Sequence, residues 1–224
     1  MRIFLLRDHC FDETLLLFTA IRYYWENDRD FLSRCLFVKD GGDGGLYIRS
    51  HYTKLVQPIR RFLEFARKQG VIIHLLGQEK TDPFVDFLDL WVHQLRIQSN
   101  GKMSRKFLFV PHDHFIRKQI LGRTERGIVR KDPYGKTSNY GSKVFYISSS
   151  HHKVLTIPTG LFKPAPLVTD FLGLNRILAT IPQILSFKYE NGLLPIELAN
   201  AVASLSTYPS AKILELFANI KMKP

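Results

Sequence analysis

Apolar positions along the chain recur with two different periods, and these divide it into helices and strands. Between Phe11 and Trp25 the apolar residues Phe11, Leu15, Leu16, Phe18, Ile21, Tyr24 and Trp25 are spaced mostly three and four apart. That spacing predicts a helix, with Asp12 or Thr14 as its cap. Asn27 to Arg29 is a polar break, and Cys35 to Lys39 reads as the first strand. Tyr52 to Lys68 predicts a second helix with Leu55, Val56, Ile59, Phe62, Leu63 and Ala66 on one face. Lys54, Arg60, Arg61, Arg67 and Lys68 fall on or near the other. Pro58 marks either the first turn of that helix or a kink in it. Gly70 is a stop signal. Val71 to Leu76 is an unbroken apolar run, as expected of a strand covered on both faces.

Strand, helix and strand in this order form a right-handed βαβ unit. It brings Asp40 and the segment Gly77-Gln78-Glu79-Lys80 to one edge of the sheet. Asp40 ends an apolar run and is followed by Gly41, Gly42, Asp43, Gly44 and Gly45. Glycines serve where the chain turns tightly or must let something approach closely. Open α/β sheets bind ligands at the carboxyl ends of their strands. Both rules make Asp40 the first candidate site residue, with Asp43 as its rival.

Further on, Phe84 to Leu95 reads as a helix and Lys106 to Val110 as a strand. Val144 to Ser148 and Val154 to Ile157 read as a hairpin turning near His151 and His152. The tail from Leu167 to Lys221 is expected to be mainly helical, broken at Pro182, Pro195 and Pro209. Gly122 to Ser142 is rich in Gly, Lys and Arg and predicts a mobile basic loop; with its flanks it spans 117–143. No internal repeat or linker is visible, so the expectation is one α/β domain over the 224 residues.

Charge then narrows the choice of partner. Lys and Arg number 32 against 20 Asp and Glu, a net +12. Such an excess favours a polyanion, because basic side chains release counterions from nucleic acid. No apolar run is long enough to span a bilayer. The amino terminus lacks the pattern of a signal peptide, and Cys10 and Cys35 do not make a disulfide framework. The expectation is a cytoplasmic protein with two buried thiols and no membrane partner.

A carboxylate at a strand end suits a hard cation such as Mg2+ or Mn2+. Such ions stabilise the attacking and leaving oxygens in phosphodiester cleavage. Glu79 is the natural second carboxylate, and Lys80 beside it is placed to meet phosphate. Glu13 reaches the same site if the first helix packs beside the Asp40 strand; otherwise it is an acid in a first helical turn. Asp82 and Asp86 read as caps or solvated charges. His112-Asp113-His114 is a weak metal pattern, and His74 inside an apolar run reads as a core histidine. Gly135-Lys136-Thr137 imitates the end of a P-loop without the earlier glycine, since Arg130 stands there. No nucleophile elbow and no Cys-x-x-Cys pair occurs.

Phe37-Val38-Lys39-Asp40-Gly41, then Leu46, the Pro58-Ile59-Arg60 helix, Gly77-Gln78-Glu79-Lys80 and Phe84-Val85 together resemble the NurA nuclease domain. The tail Leu194-Pro195-Ile196-Glu197-Leu198-Ala199-Asn200, with Ser204-Leu205 and Tyr208-Pro209-Ser210, is similar to that family's carboxyl-terminal helices. The resemblance runs from about Glu13 onward, and it is the order and spacing of the motifs that carry it. It implies an RNase H-like mixed sheet flanked by helices, with a mostly helical carboxyl-terminal part. It also implies Mn2+- or Mg2+-dependent exonuclease and single-strand endonuclease activity on DNA. The implied partners are a second copy of the chain and a HerA-type hexameric ATPase, in DNA end processing, repair or phage defence. By position Asp40 matches the family's Asp-Gly metal ligand, Glu13 an upstream helical glutamate, and Lys80 a lysine after the following strand. DNA contacts are expected from Arg117, Lys118, Arg123, Arg126, Arg130, Lys131 and Lys136. Three departures stand out. The family's opening strand, with another essential Asp, has no counterpart before Glu13. The Asp40 loop is longer than usual, and Asn200 replaces a common histidine. The expectation is therefore a truncated or divergent member. The alternatives are a non-catalytic DNA-binding or ATPase-docking protein of the same fold, and a small-molecule α/β enzyme using the same strand-end pocket.

Overall fold

A computed structural model describes residues 9–41, 50–99, 106–122, 133–186, 188 and 192–202. Helix α1 spans His9–Asn27, α2 Arg29–Arg34, and strand β1 Leu36–Asp40. Helix α3 spans Ser50–Lys68, β2 His74–Glu79, α4 Pro83–Gln98 and β3 Phe107–Phe109. A helical turn, α5 (Asp113–Phe115), continues as a π-helical turn over Ile116–Ile120. Strands β4 (Ser142–Ile147) and β5 (His152–Ile157) form a hairpin, and α6 spans Leu174–Thr180. The last described element is a helix over 194–202, α7.

The strands make one five-stranded mixed sheet in the order β1-β2-β5-β4-β3. β1 runs parallel to β2, and the remaining neighbours are antiparallel. The expected βαβ crossover is therefore present, with α3 as its helix. The protein is α/β, its sheet flanked by helices on both faces.

Burial explains the layering. On one face Leu76, Val144, Tyr146, Leu155 and Ile157 pack with Leu174, Ile177 and Ile181 of the α6 region. On the other, Leu75 meets Ile21 of α1, Leu32 of α2 and Ile59, Leu63 and Ala66 of α3. Beside them on that same face, Phe145, Ile147 and Val154 pack against Phe84, Val85, Leu88 and Val92 of α4. Strands clothed on both sides have no solvent face to alternate toward, so they read as continuous apolar runs.

Several boundaries differ from the sequence reading. α1 starts at His9, ahead of Asp12 and Thr14, and Thr14 is buried rather than capping. The short α2 went unpredicted: Asp28 restarts the helix by accepting the Phe31 N–H at 2.9 Å. Pro58 lies inside α3, which continues through it to Lys68. β2 is displaced three residues toward its carboxyl end relative to the Val71–Leu76 run, so Glu79 is its last strand residue and not part of the loop after it. Asp82 caps α4 by accepting the N–H groups of Phe84 and Val85. In the tail, α6 and α7 alternate with 3-10 turns at 168–170 and 181–183. The Pro209 break lies outside the described residues.

The 117–143 segment is not one loop. Arg117 and Lys118 belong to the π-helical turn, and Ser142 and Lys143 open β4. Residues 133–141 form turns held by Arg60, which the helical pattern had placed on the polar side of α3. Arg60 is in fact buried. Its guanidinium donates to the carbonyls of Lys136 (2.9 Å), Gly135 (2.8 Å) and Asn139. Its carbon lies 4.9 Å from the Phe162 ring centroid. Burial pushes its pKa down to about 10, which leaves it charged at neutral pH.

His74 is a core histidine, as expected. Burial first, and the Arg176 charge second, lower its pKa below the ordinary 6.5. The folded protein thus binds this proton less readily than the unfolded chain. Its stability rises with pH through the window that ends near 6.5, and is lost as pH falls through it. Urea midpoints measured between about pH 5 and 7 should climb with pH, and His74→Gln should flatten that climb.

Candidate functional site at the sheet edge

The parallel register sets Lys39 beside Gly77 and Asp40 beside Gln78. Gly41 then donates its N–H to the Gln78 carbonyl at 2.8 Å and turns the chain with φ +73°, a conformation that suits glycine. A Cβ at Gly41 would lie 4.0 Å from Glu79 Oε2. Asp40, the Gly41 turn, Glu79 and Lys80 thus share one edge of the sheet, as the βαβ unit requires.

Pleat alternation divides these groups between the two faces. Asp40 falls on the face of Gln78 and Leu155, and Glu79 on the face of Lys39, Thr156 and Lys143. Asp40 and Glu79 therefore meet the sheet edge from opposite faces, with the Gly41 turn between them.

Each carboxylate has a lysine. Lys80 Nζ donates to Asp40 Oδ2 at 2.8 Å, in a pair whose side chains are 32% and 40% exposed. Lys39 Nζ, buried, lies 3.6 Å from Glu13 Oε2 and donates to the Asp40 carbonyl at 3.0 Å. Glu13 therefore does reach this edge, since α1 packs over the sheet beside β1, but its side chain is about half exposed. Lys143, whose side chain is 0% exposed, donates to Glu79 Oε1. Its Nζ also sits 5.1 Å from the Phe84 ring centroid. Burial raises the Asp82 carboxyl above its ordinary range, the Lys143 charge opposes that, and the Glu79 charge adds to it.

Lys143 is the site residue that sequence reasoning missed. The signal was present in Lys143-Val144-Phe145-Tyr146-Ile147, where a cation occupies an inward position of an otherwise apolar strand. A buried ammonium is costly without a partner, so it implies a buried carboxylate nearby.

Among the described residues no group of three or more His, Cys, Asp and Glu side chains converges as a metal cage. His112-Asp113-His114 is accordingly no metal cluster: His112 Nδ1 accepts the Phe115 N–H at 3.2 Å, and Asp113 pairs with Arg117 at 3.0 Å. The oxygen donors at the edge are Asp40, Glu79 and Glu13. A cation of the Mg2+ type needs only one or two carboxylates and otherwise keeps water and substrate phosphate, but here each of the three is held by a lysine. They do not fit a cation that needs a full protein cage.

Of the residues expected on DNA, Lys118 and Lys136 are exposed. Arg117 is half-buried and pairs with Asp113. Arg123, Arg126, Arg130 and Lys131 lie outside the described residues, as does Asp43. A small cavity of about 20 Å³ opens between Asp113, Tyr134, Asn139, Lys143, Phe162 and Lys163, room for little more than a water molecule. No helix of the described residues is long and apolar enough to cross a membrane. No family model matches the chain, and no curated protein or solved structure matches it either.

The two ion pairs should respond differently to mutation. Asp40→Asn is expected to change folding stability by about 1 kcal/mol or less, because both side chains are partly exposed to solvent. Glu79→Gln should cost more, about 3 kcal/mol, by removing the negative charge that faces the buried Lys143. Urea unfolding of the two variants checks the contrast; equal costs would contradict it.

Proposed function

We propose that this chain is a NurA-like, metal-dependent deoxyribonuclease domain of RNase H-like type. The observation that carries the reading is the acidic edge itself: Asp40 and Glu79 at the ends of two parallel strands, on either side of a glycine turn. Support also comes from the net charge of +12, which suits a DNA substrate, and from the residues that resemble that family's motifs.

In this reading Asp40 would hold Mn2+ or Mg2+, with Glu79 or Glu13 as the second carboxylate. The ion supplies Lewis-acid charge to the phosphodiester and a more acidic bound water. Lys80, already at Asp40, attracts the phosphate backbone to the edge. Lys118 and Lys136, with the basic residues between 117 and 143, extend that attraction along the strand. A second copy of the chain and a HerA-type ATPase are the proposed partners, with a cytoplasmic role in DNA end processing or defence.

A second reading has its own observation. Asp40, Glu79 and Glu13 each face a lysine, as expected if ammonium groups had taken the place of metal. The chain would then be a non-catalytic DNA-binding or ATPase-docking protein of the same architecture.

Manganese titration combined with cleavage of labelled single-stranded DNA separates the two. The nuclease reading expects Mn2+-dependent cleavage that drops about a hundredfold or more in Asp40→Ala. Absence of both Mn2+ binding and cleavage, with salt-sensitive DNA binding intact, would sink it in favour of the second. DNA affinity that does not weaken with salt would tell against both.

A further inference from the structure

The outward face of α3 carries charge of one sign. Lys54, Arg61, Phe65 and Lys68 are exposed and stand seven, four and three residues apart, so they share one stripe of the helix. From Lys54 to Lys68 the stripe runs roughly 21 Å at the rise of an α-helix. A solvated helix face ordinarily mixes signs and pairs them one turn apart. Here the one acid of α3, Glu64, is buried and held by Arg67. No acid among the described residues forms an ion pair with Lys54, Arg61 or Lys68. Cations of α1 and α2 behave otherwise: Arg22 pairs with Glu26 and Arg34 with Asp30.

Aromatic rings interrupt and flank the stripe. Phe65 is 49% exposed although it lies between two cations. Its ring meets that of Trp25 at 5.7 Å, and the Arg29 guanidinium covers Trp25 at 4.1 Å from the ring centroid. On the opposite flank Gln57 donates to the Lys136 carbonyl at 3.1 Å, which sets the exposed Lys136 beside the stripe. Both nucleic acids and anionic bilayers suit cations in a row, and the rings choose between them. A bilayer surface needs a broad apolar face, and that of α3, with Ile59, Leu63 and Ala66, is already packed in the core. A single nucleic-acid strand offers phosphates to the cations and open base faces to a ring. A duplex keeps those faces stacked inside.

We propose that this stripe is a binding lane for single-stranded nucleic acid, with the backbone on Lys54, Arg61 and Lys68 and a base stacked on Phe65. Helix α3 returns the chain from the Asp40 end of the sheet to the start of β2, so the lane begins at that end and leads away from it. It needs no metal and holds under either reading of the edge.

The test is fluorescence anisotropy of labelled oligo-dT on the full chain, with chelator present so that no cleavage intervenes. Phe65→Ala should weaken binding about tenfold and leave its salt dependence unchanged. Replacing Arg61 and Lys68 together by Ser should weaken binding and make the slope of log affinity against log salt shallower by about 1.4, two lost phosphate contacts on a single strand. Arg34→Ser, exposed but paired off the stripe, should change little; an equal loss there would mean diffuse charge and overturn the proposal. Absence of oligo-dT binding, or affinity unchanged in either stripe variant, overturns it too. So does a duplex bound as tightly as oligo-dT. Vesicles containing phosphatidylserine that bind the unmodified chain and not the stripe variants, with oligo-dT binding intact in both, would assign the face to a membrane instead. The nuclease reading fails separately, on absence of Mn2+-dependent cleavage while the stripe still binds. If Phe65→Ala fails to fold, photo-crosslinking of the unmodified chain to an iodouracil-substituted oligo-dT decides. The adduct should map to Phe65 or Trp25, and its absence from both overturns the proposal.

Discussion

The parallel pairing of β1 with β2 is the constraint on which the rest of the site depends. Antiparallel neighbours can be joined by a tight turn, but parallel neighbours need a crossover, and here α3 supplies it. Once α3 has returned the chain, the carboxyl ends of both strands must lie at the same edge. That fixes Asp40 beside Gln78 and brings the Gly41 turn against Glu79. The same crossover buries Ile59, Leu63 and Ala66 on the sheet, so the helix that orders the edge also builds the core beneath it.

Burial then sorts the charges at that edge. The Asp40–Lys80 pair is partly exposed, where an ion pair is cheaper to rearrange. The Glu79–Lys143 pair is enclosed, where separating the charges is costly and the geometry is correspondingly fixed. Arg60 adds a second fixed element. By gathering three backbone carbonyls of the 135–139 turn it ties the approach to β4, and hence Lys143, to the crossover helix.

Much of this was legible along the chain. Periodicity marked α1, α3 and α4, the apolar runs marked β1 and β2, and the order of these elements placed Asp40 and Glu79 at one edge. Local chemistry also read His74 as a core residue and left Asp82 as either a cap or a solvated charge. What eluded the pattern was Arg60 and Lys143, since a basic residue is read as solvated until its partners are known. Arg60 found carbonyls 75–79 residues away, and Lys143 found a carboxylate 64 residues away. The strand of Glu79 was placed too early for a related reason. The apolar run ends at Leu76, but hydrogen bonding to β1 and β5 carries the strand on through polar Gln78 and Glu79.

The sequence by itself determined the α/β class, the crossover and the strand ends where acids gather, because these follow from local spacing and from the handedness of L-residue chains. Only the tertiary structure decided that β2 takes an antiparallel partner in β5, and that pleating sends Asp40 and Glu79 to opposite faces. It alone decided that Asp40, Glu79 and Glu13 each meet a lysine. Those outcomes depend on register and burial between segments far apart in the chain, which no local pattern encodes.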